Sequence, residues 1–182
     1  MEPEKIIHIW NRCKDNDRKA QAELYQLFAP KMYAVCLRYA RDTFEAEDML
    51  QQGFIKVFTK SALFDGTGVL EGWIRRIMVN TAIEGYRKNK LSFISTDQVS
   101  TTELAEHATL QLNNLDYKDL LNLIKDLPLG YKTVFNLYAI EGYNHREIAE
   151  MLQISEGNSK SQLSRARQWL RVRILKMEEL GI

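Results

Sequence analysis

The stretch NHREIAEMLQISEGNSKSQLSRARQWLR, Asn144 to Arg171, reads as two helices around a tight turn. Asn144, followed three residues on by Glu147, has the form of a capping box at a helix start. Ile148, Ala149 and Leu152 then give the first helix its inner face, and the small Ala149 lets a second helix cross closely. QISEG is the turn. Ser155 is placed to cap the next helix, its hydroxyl accepting from an amide near Gly157 or Asn158. Leu163, Ala166 and Leu170 supply that helix with an apolar stripe.

The opposite face is basic. From Gly157 to Lys176 there are Lys160, Arg165, Arg167, Arg171, Arg173 and Lys176 and no acid, on a chain whose formal net charge is +1. Phosphates are met by lysine, arginine and amides at helix N-termini, and bases are read by side chains near the start of a recognition helix. Lys160, Ser161, Gln162 and Ser164 lie there. Glutamine can pair with adenine and lysine can donate to guanine. A solvated basic face is the plainer alternative. The capped first helix, Ala149, the turn and the basic second helix in combination favour a DNA-binding helix-turn-helix. One departure stands out: Ser159 is polar where an apolar residue often anchors the second helix.

The bulk numbers exclude some classes and leave others open. At 182 residues and 45% hydrophobic, the chain has enough apolar material for one ordinary domain or two small ones. A near-neutral total says nothing against a local basic patch. Cys13 and Cys36 are too sparse for a disulfide framework and sit at apolar helical positions, so buried thiols are expected. The histidines His8, His107 and His145 are scattered and form no zinc spacing. No metal or other cofactor is expected. The charged start MEPEKIIHIWNRCKDND does not read as a signal peptide. No apolar run approaches ~18 residues, so no membrane span is expected and a reduced cytoplasm is the simplest placement.

Helical spacing extends along nearly the whole chain. Leu24, Leu27, Phe28, Met32, Val35, Cys36 and Tyr39 recur at steps of three and four, a pattern Pro30 need not break. FDGTG, Phe64 to Gly68, reads as a loop. Leu91 to Asp116 contains no lysine or arginine, and its acids are Asp97, Glu103, Glu106 and Asp116. It reads as a linker, with a transient helix near Glu103 to Leu112. The expected plan is all-α: a helical domain over residues 1–90, an acidic flexible linker over 91–116, and a second helical domain over 117–182 containing the helix-turn-helix.

A second basic patch lies in the first domain. From Arg75 to Lys90 the bases Arg75, Arg76, Arg87, Lys88 and Lys90 face one acid, Glu84. Trp73 and Tyr86 are beside them. Aromatics next to a basic groove suit unstacked single-stranded bases, and a polar pocket there could accept a flipped base.

AEDMLQQGFIKVF, WIRRIMVNTA, LPLGYKTVFNLYAIEGYNHREIAEMLQIS and SKSQLSRAR, in that order, give the chain its resemblance to bacterial sigma factors of the extracytoplasmic-function (ECF) group. The resemblance covers nearly the whole chain. It implies two helical domains, regions two and four, that recruit core RNA polymerase to promoter DNA and melt the minus-ten element. It also implies an anti-sigma partner. By this resemblance Asp48, Gln51, Phe54 and Phe58 match the surface that grips the clamp helices of the polymerase, with core packing as the alternative for both phenylalanines. Lys56, Phe64, Gly66, Thr67 and Asn80 match the elements that capture a flipped base of the melted non-template strand. Arg76, Arg87 and Lys88 are phosphate candidates. Trp73 is either a wedge at the melted junction or a core residue. Lys160, Ser161, Gln162, Ser164 and Arg165 match the helix that reads the minus-thirty-five duplex, with Arg167 on phosphate or facing solvent. The linker would run through the RNA exit path as a nucleic-acid mimic, or serve as a plain tether.

Two other readings remain at this stage. A free-standing regulator with a sensory first domain would bind duplex DNA without polymerase. An enzyme acting on nucleic acid would need clustered carboxylates, an activated nucleophile or a phosphate-cradling loop. FDGTG has the wrong spacing for such a loop, and the adjacent Glu47 and Asp48 diverge on a helix, so no catalytic residue is assigned.

Overall fold

The computed structural model describes residues 3–93 and 117–180, all of whose regular structure is helical. The chain divides into two compact units, Met1–Gly85 and Tyr86–Ile182. The transient helix expected near Glu103 to Leu112 lies outside the described residues, as does the expected linker from residue 94 on; its first three residues, 91–93, instead continue a helix.

The first unit is built from α1 (Pro3–Lys14), α2 (Arg18–Leu37), α3 (Thr43–Thr59) and α4, which begins at Leu70 and runs to Phe93. A 3-10 turn, Ser61–Leu63, follows α3. Local chemistry sets the helix starts. Asp17 caps α2, its Oδ1 accepting from the amides of Lys19 and Ala20 at 2.8 and 3.2 Å. Asp42 caps α3 by accepting from the Glu45 amide at 2.8 Å. Both supply partners for amides that a helix cannot satisfy internally. Asn16, at φ 60°, turns the chain between α1 and α2. α2 continues through Pro30, whose side is exposed.

The core of this unit follows the expected spacing. Leu24, Phe28, Met32, Val35 and Cys36 of α2 are buried, as are Met49, Leu50, Phe54 and Val57 of α3 and Ile74, Met78, Val79 and Ile83 of α4. Each such side chain contributes about 1.5–3 kcal/mol through removal from water. Gly53 sits where α3 meets α4: a Cβ there would overlap Met78 Sδ. Cys13 and Cys36 are free, buried thiols, as their spacing suggested.

The second unit holds α5 (Tyr117–Lys125), α6 (Leu129–Phe135), α7 (His145–Leu152) and α8 (Glu156–Leu180). Leu123, Ile124, Leu127, Ala166, Leu170 and Ile174 form one apolar cluster, flanked by Tyr131, Phe135, Trp169 and Met177. Without a break α6 widens into a π turn, Asn136–Ile140, with the Glu141 amide donating to the Asn136 carbonyl at 3.0 Å. Gly142, at φ 80°, then reverses the chain toward α7. A residue with a Cβ is strained in that conformation.

Candidate nucleic-acid interface

The helix-turn-helix forms through the caps that its sequence announces. Asn144 Oδ1 accepts from the Glu147 amide at 2.9 Å, and Glu147 Oε2 accepts from the Asn144 amide at 2.8 Å. α7 ends at Gln153 in the left-handed conformation, φ 53°, with the Ile154 amide donating to the Ala149 carbonyl at 3.1 Å. Ser155 Oγ then accepts from the Asn158 amide at 3.1 Å at the start of α8. Ile148 and Leu152 of α7 and Leu163, Ala166 and Leu170 of α8 are buried.

Ser159 is fully buried rather than a weak point. Its Oγ lies 3.0 Å from His145 Nδ1 across the turn. His145 in turn stacks on Tyr138 of the π turn, with ring centroids 4.7 Å apart and planes at 24°. The Arg167 guanidinium lies 5.7 Å from the centroid of the same tyrosine. Burial, then the nearby Lys160 charge, holds the His145 pKa below its ordinary value, with Arg167 adding to the effect and Glu156 opposing it. The residue pattern missed His145 as a partner. The available signal was Ser159 itself, since a buried hydroxyl requires one.

On α8, Lys160, Ser161, Ser164 and Arg167 are exposed, while Gln162 and Arg165 are half-buried. Lys160 pairs with Glu156 at 2.7 Å, and Gln162 Nε2 donates to Asn158 Oδ1 at 3.0 Å. Each interaction spans one turn at i,i+4 spacing, the two lying on different sides of α8.

The other candidates lie in the first unit and along α4, which runs past the unit's end at Gly85 to carry Arg87 and Lys88. The loop after the 3-10 turn is an Asx turn: Asp65 Oδ1 accepts from the Thr67 amide at 2.8 Å and from Thr67 Oγ1 at 2.6 Å. These bonds hold the Asp65 carboxyl below the usual range. Gly66 and Gly68 take φ of 89° and 83°. Lys14 Nζ ties the loop to α1 by donating to the Phe64 carbonyl at 3.0 Å. Gly66 and Thr67 are exposed, but Phe64 is buried. Phe64, Trp10 and Trp73 form an aromatic triangle with centroids 5.5–5.8 Å apart. Trp73 is half-buried, with its ring packed edge-on against Trp10 and tilted against Phe64.

On α4, Arg76 and Asn80 are exposed one turn apart, with the half-buried Arg87 at the same face two turns on and Lys88 exposed beside it. Lys56 of α3 donates to Thr81 Oγ1 at 3.1 Å and pairs with Glu84 at 2.7 Å.

On α3, Asp48 and Gln51 are exposed, whereas Phe54 is buried against Tyr25, ring centroids 4.7 Å apart, and Phe58, 6.0 Å away, is half-buried. Phe54 therefore packs the domain rather than presenting its ring outward. The exposed face instead carries Phe44 at 78% and Ile55 at 62% exposure. Phe44, Asp48, Gln51 and Ile55 recur at steps of four, three and four, so they share one stripe. Phe44 and Ile55 escaped the sequence reading. They could have been found as apolar residues out of phase with the buried face.

Comparison with known proteins assigns both halves. Residues 24–91 match the family model described as Sigma-70 region 2, and residues 117–170 match Sigma-70, region 4. The chain is 30% identical over 175 residues to the ECF RNA polymerase sigma factor SigW of Bacillus subtilis, covering 88% of this chain and 91% of that one. It is 28% identical over 150 residues to SigM of the same organism, an ECF RNA polymerase sigma factor, covering 82% and 91%. Among solved structures it is similar to the sigma factor RpoE of Bartonella quintana, crystallised with the anti-sigma factor NepR, at 24% identity and a TM-score of 0.49, covering 85% of this chain and 96% of that one. With both regions matched in order, and a relative of this identity spanned over nearly its whole length, the chain belongs to the ECF family of RNA polymerase sigma factors.

Proposed function

We propose that this sigma factor divides promoter recognition between its two units. As a member of its family it directs promoter-specific transcription initiation by core RNA polymerase. The α3 stripe of Asp48 and Gln51, extended by the exposed Phe44 and Ile55, grips the polymerase, with Phe58 at its margin and Phe54 supporting it from within. Lys56, Gly66, Thr67 and Asn80 receive the melted minus-ten strand, and Arg76, Arg87 and Lys88 meet its phosphates. Phe64 and Trp73 brace the loop from below. In the second unit Lys160, Ser161, Gln162, Ser164 and Arg165 read the minus-thirty-five duplex, with Arg167 on the backbone.

The observation that carries this reading is the recognition helix. From Gly157 to Lys176 it has six bases and no acid, and its N-terminal residues Lys160, Ser161 and Ser164 are exposed beside an intact, doubly capped turn. The protein acts without catalytic chemistry of its own and works in the cytoplasm, where the polymerase is. An anti-sigma factor holds it inactive by covering these surfaces. Among the described residues no helix is long and apolar enough to cross a membrane.

The test is in-vitro transcription with core polymerase, with and without the protein, on pooled promoter fragments. New start sites sharing two spaced elements are expected. An active core that gains no start sites, together with tight duplex binding by the protein alone, would replace this reading with a free-standing regulator.

A further inference from the structure

Ser159 raises a question the promoter-reading scheme does not answer. A polar side chain fully removed from water, in the first turns of a recognition helix, loses hydration that an apolar anchor would never have had. Its compensation is one bond to His145 at 3.0 Å. A hydrogen bond weakens steeply as its angle departs from linear, whereas an apolar contact tolerates rotation. The pair therefore fixes the rotation of α8 about its own axis as well as its distance from α7. The His145 ring is itself held flat against Tyr138, at 4.7 Å and 24°. That tyrosine stands on the π turn, a register shift that re-aims side chains within a helix. Lys160 and Ser161, exposed on α8, follow the locked residue directly, and the exposed Ser164 comes about a turn and a half later on the same helix.

We propose that His145 is a positioning residue for promoter reading: through Ser159 it sets the rotation of α8 and so the placement of Lys160, Ser161 and Ser164 against base edges. It needs no contact with DNA itself. The proposal rests on the reading that α8 enters the major groove at the minus-thirty-five element.

The experiment uses the full chain with core polymerase. Transcription is measured from a promoter the protein selects and from the same promoter with its upstream element substituted, and the ratio is the readout. His145→Ala and Ser159→Ala should each lower the ratio by on the order of ten-fold, the scale of one hydrogen bond. The double variant should fall no further than either single one. His145→Asn, whose amide can occupy the place of Nδ1, should recover most of the ratio. The pair His145→Phe with Ser159→Val should recover the thermal midpoint without recovering the ratio. Output from both promoters falling together at a constant ratio would mean a merely structural role and overturn the proposal. Full selectivity in the Phe–Val pair would also overturn it, since an apolar anchor would then suffice. A wild-type protein indifferent to the upstream element would defeat the underlying reading as well, an outcome visible before any variant is made.

Discussion

Lys56 of α3 and Glu84 of α4 form an ion pair at 2.7 Å that joins two helices of the proposed strand-capturing surface. The lysine also donates to the buried Thr81. Its ammonium is therefore already partnered, and a DNA phosphate has to compete with Glu84. Removing the acid's charge should release the lysine. Glu84→Gln is expected to tighten promoter opening several-fold at low salt, while Lys56→Ala weakens it. The change in stability should stay within about 1 kcal/mol, because the glutamate side chain is half exposed. Open-complex formation with a fluorescent promoter, followed across salt concentration, measures both. Equal opening by Glu84→Gln and wild type would remove Lys56 from the surface.

The α3 helix separates fold from docking on its two faces. Phe54, 2% exposed and packed on Tyr25, should cost about 3–5 kcal/mol when replaced by alanine. Its loss of activity should follow its loss of thermal stability. Asp48→Ala, Gln51→Ala and Ile55→Gln lie on the exposed face and should stay within about 0.5 kcal/mol of wild type. These three should nonetheless bind core polymerase more weakly in a sedimentation or native-gel assay. Undiminished binding in all three would place the docking surface elsewhere.

Local signals were the most legible part of the sequence. The Asn144 capping box, the Ser155 cap and the Gly66–Gly68 loop each need only a few consecutive residues, so their chemistry can be read in place. Helical spacing likewise marked Leu24, Phe28, Met32 and Val35 as an inner face. Longer-range matters were not legible. Spacing alone cannot say whether an apolar residue meets its own domain or a partner. That is why Phe54 was left between a contact and a core role and is buried, why Phe64 was read as a strand contact and is buried, and why Phe44 and Ile55 went unnoticed. Ser159 looked like a defect because its partner lies fourteen positions away, across a turn whose geometry only the fold supplies.

Arg167 and Gln162 should fail in different ways. Arg167 is exposed, with its guanidinium 5.7 Å from the Tyr138 ring centroid, and in the proposed function it meets the backbone. Arg167→Ala should weaken promoter binding by the holoenzyme evenly across sequences and reduce the salt slope by about 1. Gln162 Nε2 donates to Asn158 of its own helix, and in the proposed function it donates to a base instead, so Gln162→Ala should change the preferred upstream sequence. Selection from a randomised upstream element distinguishes them. An identical sequence profile for both variants would contradict the assignment.

The lowered pKa of His145 gives the second unit a pH dependence with a definite sign. The ring is held below its ordinary value of 6.5, first by burial and then by Lys160, with Arg167 acting the same way and Glu156 opposing. The unfolded chain therefore takes up a proton here before the folded one does. Above pH 6.5 both states are neutral at this residue and its contribution is fully present. As pH falls below that value the unfolded state gains the proton and stability declines, levelling only beneath the folded pKa. Glu156, Asp17 and Asp65 also have lowered pKa values, but carboxylates lose their contributions further toward acid, below their ordinary range near 4. Thermal midpoints taken from pH 8 to 5 should fall in wild type and fall less in His145→Gln, which has no ring to protonate. Parallel curves for the two proteins over that interval would mean that His145 titrates alike in the folded and unfolded chains.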